Sequence, residues 1–165
     1  AVYEPKRSTG AFSYATHACV MAVDPGTGEM EILDYVVVHD CGRMVNPMIV
    51  EAQVVGGVAQ GLGTALYEEI PYDNNGQPLS STFLDYMIPG CAEVPNVRVL
   101  HIETPSPHTK YGIKGLGEGG AISPPAAVVN ALNDALKSLG ADITQTPVTP
   151  LRVLEAIESG AVSPL

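Results

Sequence analysis

Residues 12–38 read FSYATHACVMAVDPGTGEMEILDYVVV. Two runs rich in Val, Tyr, Ile and Met, Phe12 to Val23 and Met30 to Val38, flank the insert Asp24-Pro25-Gly26-Thr27-Gly28-Glu29. β-Branched and aromatic side chains suit a pleated, half-buried surface, and Asp, Pro and Gly supply the dihedrals that join antiparallel neighbours. The stretch predicts a hairpin. With helical segments following it, the chain is α+β, and it shows no internal repeat and no clear domain boundary.

Downstream, the second strand runs into His39-Asp40-Cys41-Gly42 and then Asn46-Pro47. Asn46 can cap a helix whose first turn accepts Pro47, because the missing N–H would be unpaired there anyway. That helix is expected to reach about Glu69. It contains Gly56, Gly57, Gly61 and Gly63, each costing about 1 kcal/mol of propensity against alanine. Glycine in a helix is explained by close approach of another backbone or of a ligand, since a Cβ would fill that space. Upstream, the polar residues 1–10 suggest an entering strand or arm that pairs outside this chain.

Further on, Tyr72 to Gln77 reads as a turn between a strand ending near Tyr72 and the strand-like segment Thr82 to Ile88. Asn96 to Glu103 suits a strand. Ser123-Pro124-Pro125 starts a helix that Gly140 stops, and a short helix is expected over Pro150 to Ser159 with Thr149 as its N-cap.

The 165 residues are 45% hydrophobic, enough to bury one core. Eight Lys plus Arg against 18 Asp plus Glu give a net charge of -10, which repels phosphate backbones and argues against nucleic acid. With no leader-like segment and no bilayer-length apolar run, the reading is a soluble, cytoplasmic protein without a membrane span, beginning at Ala1 as a fragment would. Cys19, Cys41 and Cys91 are widely spaced and lack a CxxC pair, so reduced and mostly buried thiols are expected rather than a disulfide or metal site.

The segment with the most unusual chemistry is Tyr111 to Gly120, YGIKGLGEGG, where five glycines in ten residues surround one acid and one base. Such backbone can fold tightly around a ligand while Glu118 projects from the loop; a glycine-rich loop merely holding a solvated glutamate is the plain alternative. A phosphate-loop reading fits poorly, because Gly-Lys-Ser/Thr is missing and Glu118 would repel a triphosphate. The second segment is QVVGGVAQGLG, residues 53–63. Gln53, Gly57 and Gln60 fall on one helical face, and amides suit the edge of a heterocycle such as a pterin, or equally a neighbouring backbone group. His39, Asp40 and Cys41 sit where a strand ends and polar groups often reach a site. His17, His101 and His108 have no ligand spacing with His39, so structural roles and no metal ligand are expected of the histidines.

Taken together, VVVHDCGRMVNP, QVVGGVAQGLGTALYEE, STFLDYMIP, ETPSPHTKYGIKGLGEGG, PPAAVVNAL and TPLRVLEAI occur in the order found in the xanthine dehydrogenase and aldehyde oxidase family. The chain resembles the large, molybdopterin-binding subunit of the carbon monoxide dehydrogenase type, and residues 1–165 resemble the C-terminal portion of that domain. The resemblance implies that Glu118 is the active-site base and that Gln53 hydrogen-bonds the pterin. It also implies that Asp40 and the backbone around Lys114, Gly115 and Gly117 approach the cofactor. Ala52 departs from the glycine common in relatives before the glutamine.

A molybdopterin cofactor, in its cytosine dinucleotide form, is implied, with hydroxylation of an aldehyde, N-heterocycle or similar small substrate using water as oxygen source. A carboxylate raised toward neutral pKa by a dry pocket could serve as the base, while the cofactor supplies the redox step. No C-x4-C-x2-C spacing or nucleotide fingerprint appears, so [2Fe–2S] clusters and FAD are expected on other chains or segments. The remaining part of the molybdenum subunit is the further expected partner. The TPSPH stretch leans toward carbon monoxide dehydrogenase-like and aldehyde-oxidising relatives; a copper-bearing loop would lie upstream. The rival from another class is a non-catalytic assembly module, against which the presence of both Glu118 and Gln53 argues.

Overall fold

A computed structural model describes residues 11–161. The hairpin forms as expected: β1 (Tyr14–Val23) and β2 (Met30–Asp40) pair antiparallel, with Tyr14 opposite Asp40 and Val23 opposite Met30. Its turn is closed by Asp24 N–H to Glu29 O at 2.9 Å and Gly28 N–H to Asp24 O at 2.8 Å. Gly28 takes φ +74°, and a Cβ there would also lie 2.2 Å from Pro150 O, so both conformation and space require glycine. The arm expected over residues 1–10 lies outside the described residues.

Helix α1 (Pro47–Leu66) begins as read, with the Asn46 side chain accepting from Ile49 N–H, but it ends one turn before Glu69. Val50, Val54, Val58, Leu62 and Ala65 form its buried stripe, and all but Val50 join Tyr35 and Val37 of β2 in one core. Strand β3 (Val97–His101) pairs parallel to β2, with His39 opposite His101. Parallel pairing needs a crossover of a dozen or more residues; α1 and the loops after it provide one.

Helix α2 (Pro124–Leu136) adds Val128, Leu132 and Leu136 to the core, and Gly140 ends the segment at φ +69°. Helix α3 (Pro150–Ala161) follows, and Thr149 Oγ1 accepts from Arg152 N–H at 3.3 Å. The turn over residues 72–77 forms around Gly76 at φ +80°. The strands expected around it do not: Tyr72 makes only an isolated bridge to Pro78, and residues 82–88 are turns. Phe83 and Leu84 are 84% and 93% exposed, so no sheet face of these residues receives the apolar side chains on which the strand reading relied. Of the cysteines, Cys41 is buried, Cys19 half-buried and Cys91 exposed, all as free thiols, so the expectation of mostly buried thiols holds fully only for Cys41.

Candidate functional site

The C-terminal end of β2 organises the site. Asp40 is fully buried, and its carboxylate accepts from Gly42 N–H at 2.7 Å, Lys114 Nζ at 3.2 Å and Thr104 N–H at 3.1 Å. The Thr104 hydroxyl donates to it as well. The same hydroxyl oxygen lies 2.7 Å from Lys114 Nζ and 2.8 Å from the Tyr14 hydroxyl, and the Lys114 ammonium sits 4.8 Å from the centre of the Tyr14 ring. Burial alone would raise the Asp40 carboxyl, but the donors from Thr104 and Gly42 outweigh it and hold the group well below the usual carboxylate range.

This network ties the glycine-rich loop to the sheet. Lys114 N–H donates to Cys41 O at 2.8 Å, Arg43 N–H to Gly112 O at 3.3 Å, and Gly42 bridges Ile113. The loop enters through Tyr111 at φ +65° and Gly112 at φ +74°, a left-handed pair that is costly for a tyrosine. It then turns over residues 116–121, closed by Gly119 N–H to Leu116 O at 3.2 Å and Ala121 N–H to Glu118 O at 2.9 Å. Glu118 is exposed at this turn. It lines an open cavity of about 520 Å³ together with Ser13, Tyr14, His39, Ile122 and Ser123.

Helix α1 meets the loop beside Glu118. Gln53 Nε2 donates to Gly117 O at 2.8 Å, so the backbone-satisfying alternative for this amide is realised in part, while the amide oxygen and second hydrogen have no partner among the described residues. Gly57 belongs to the packing: a Cβ on it would lie 2.8 Å from Gly120 Cα, and one on Gly120 would lie 2.2 Å from Val54 O. Gly61 is similarly tight against Ala121 and Pro124. Half of the glycine question thus has an answer inside the chain.

The other half does not. A Cβ on Gly56 or Gly117 would meet nothing within 4 Å, and one on Gly115 would meet only Ser13 Oγ at 4.0 Å. None of the three has a positive φ. Neither local conformation nor packing among the described residues requires glycine there; Gly115 and Gly117 line the cavity that Glu118 lines, and Gly56 follows Gln53 by three residues on α1.

Gly115, Gly117 and Glu118 therefore line one open cavity, and Gln53 is tied to its edge through the Gly117 carbonyl, whereas the Asp40 carboxylate and Lys114 ammonium are bonded to each other and to Thr104. Thr104 and Tyr14 were missed by sequence reasoning; Thr104 stands in an irregular stretch without periodicity. Glu118 is exposed rather than enclosed, so the dry pocket expected around it is not supplied by the described residues. His17, His39 and His101 all face inward near this end of the sheet, and no group of three or more His, Cys, Asp and Glu that could hold a metal occurs among the described residues.

Residues 2–95 match the family of molybdopterin cofactor-binding domains. The chain is 46% identical over 145 residues to the nicotine 6-hydroxylase large subunit of Paenarthrobacter nicotinovorans, covering 88% of this chain and 18% of the relative. It is 32% identical over 156 residues to the carbon monoxide dehydrogenase large chain of Hydrogenophaga pseudoflava, covering 94% and 19%. Quinoline 2-oxidoreductase from Pseudomonas putida 86 superposes with a TM-score of 0.85 at 47% identity, covering 87% of this chain and 18% of that structure. The chain thus spans somewhat under a fifth of the length of each relative.

Proposed function

This chain belongs to the molybdopterin cofactor-binding domain family of the xanthine dehydrogenase and aldehyde oxidase type, and from that premise we propose that it is part of a molybdenum hydroxylase with Glu118 as its base. The observation that carries the reading is the Gln53–Gly117 hydrogen bond, which joins the amide-bearing helix to the Glu118 turn, while Gly56 on that helix and Gly115 and Gly117 in the loop leave room that no Cβ fills. A pterin edge alternates donors and acceptors, and a free amide oxygen with unshielded peptide groups is complementary to it. In this reading Gln53, Gly115 and Gly117 hold the cofactor, in its cytosine dinucleotide form, and Asp40 and Lys114 support them from beneath.

When bound, the molybdenum–pterin group supplies the two-electron oxidation. Glu118 accepts the proton released as a water-derived oxygen is transferred to an aldehyde, N-heterocycle or similar small substrate. Placed at an exposed turn, it is free to meet that proton, and the water-excluding walls come from the rest of the molybdenum subunit. Val45, Met48, Phe83 and Leu84, each more than 70% exposed, give those segments apolar surface to cover. Iron–sulfur and FAD subunits or domains take the electrons onward, and the assembly is cytoplasmic. No helix among the described residues is long and apolar enough to cross a membrane.

Glu118→Gln in the complete enzyme tests the assignment. The amide keeps the side chain's size but accepts no proton at neutral pH, so cofactor content should hold while turnover falls at least about 10²-fold, roughly 3 kcal/mol of barrier. Turnover within a fewfold at equal molybdenum content would overturn the assignment and favour an assembly role.

A further inference from the structure

His39 carries chemistry that neither the Asp40 network nor the cofactor face uses. Its ring is fully buried, and neither Nδ1 nor Nε2 has a hydrogen-bond partner among the described residues. An orphaned buried polar side chain costs stability, so its retention beside a site asks for a reason. The ring lines the floor of the cavity that Glu118 also lines.

The contact above it is specific. A Cβ on Gly119 would lie 2.1 Å from His39 Nε2 and 2.8 Å from Cδ2, and Gly119 has no positive φ. Its glycine is therefore required by the imidazole, not by the conformation of the turn. Gly119 is the residue after Glu118, so the His39 ring lies directly against the turn that carries Glu118.

The surroundings disfavour a charge on the ring. His101 meets it edge-on with centroids 6.4 Å apart, and His17 lies on the neighbouring strand, near the Gly119 backbone, with its Nδ1 2.9 Å from the Tyr35 hydroxyl and its Nε2 without a well-formed hydrogen bond among the described residues. The adjacent carboxylate, Asp40, already accepts four donors. Burial, with His101 as a second cause, pushes the His39 imidazole below its ordinary value, against a smaller opposing effect of Asp40.

We infer that His39 is the positioning residue of the Glu118 turn: a buried ring, admitted by the missing side chain of Gly119, seats the turn on β2 and so directs the Glu118 carboxylate. The inference rests on Glu118 being the base. Its mechanical part, the seating of the turn, is observable without that reading.

The experiment uses the complete enzyme with Gly119→Ala, His39→Ala, His39→Gln and the double variant H39A/G119A, assayed at equal molybdenum content. G119A should lose at least about tenfold in kcat with KM within about twofold, and the double variant, whose shortened residue 39 admits the methyl group, should recover most of it. In cofactor-free protein, amide exchange of residues 116–121 should be faster in H39A than in H39Q. A double variant no faster than G119A, or unaltered kcat in G119A, would overturn the inference. Should G119A fail to assemble, H39Q and H39A give the same comparison: equal kcat in both would overturn it, and at least about tenfold slower turnover in H39A would support it. If E118Q retains turnover the base assignment fails, while the exchange comparison still decides whether His39 seats the turn.

Discussion

The side-chain amide of Gln53 donates to the carbonyl of Gly117 across 2.8 Å, linking helix α1 to the residue before Glu118. An exposed neutral hydrogen bond is worth about 0.5–1.5 kcal/mol, too little for the bond alone to hold the fold. Gln53→Ala should therefore leave the melting of the complete enzyme nearly unchanged while lowering molybdenum content or turnover, since it removes an amide from the proposed cofactor face. Metal analysis beside a steady-state assay checks this; unaltered values in both would make Gln53 a structural residue.

Lys114 should behave differently. Its side chain is 7% exposed and pairs with an Asp40 side chain that is fully buried, so Lys114→Met leaves a buried carboxylate without its cation. Losing one partner of a buried pair costs about 3–5 kcal/mol. K114M should therefore lower the stability of the complete enzyme strongly, and K114M/D40N should cost less than the sum of the two single changes. Additive losses in thermal denaturation would mean that the pair is not coupled.

The hairpin, the Asn46-capped helix, Gly140 and the helix starting at Pro150 were legible because each rests on local rules: turn residues, caps and stops. Glu118 and Gln53 stood out through their company of glycines, and the roles proposed for them come from the family resemblance. What stayed hidden is non-local. Thr104 donates to Asp40 across 64 residues, and nothing in ETPSPH announces that contact. The parallel register of β3 depends on the crossover, and the strand reading of residues 82–88 failed because exposed Phe83 and Leu84 imitate the composition of a sheet face. The face shared by Gln53, Gly57 and Gln60 was read correctly in spacing, yet Gly57 serves the contact with Gly120, and Gly56 is the one left open.

Acid should destabilise the protein in two stages. His39 and His17 are pushed below their ordinary values chiefly by burial, so the unfolded chain binds protons more readily, and their stabilisation is lost as pH falls below about 6.5 toward their folded values. The depressed Asp40 carboxyl acts in the same direction lower down: its contribution is present above about 3.9 and disappears on further acidification. Melting temperatures of the complete enzyme from pH 8 to 5 should fall, and fall less in His39→Gln. A pH dependence identical in that variant would remove His39 from the account.

The glycines give the last and most selective prediction, because space around them divides them into two groups. Gly57→Ala and Gly120→Ala place a methyl against backbone at 2.8 Å and 2.2 Å, and backbone on both sides cannot yield without separating α1 from the loop. Overpacking of this kind costs about 1–3 kcal/mol, so both variants should lose stability first and activity as a consequence. Gly56→Ala, Gly115→Ala and Gly117→Ala meet no such neighbour. Alanine in place of glycine should be neutral or gain about 0.4–1 kcal/mol there, by narrowing the unfolded ensemble and, at Gly56, through helix propensity. If the bare backbone at these positions faces the cofactor, the added methyl should nevertheless lower molybdenum content or turnover. Stability and metal content are then expected to move in opposite directions for G56A, G115A and G117A and together for G57A and G120A. Full molybdenum content and unaltered turnover in all three open-face variants would mean that the cofactor does not approach this side of the chain.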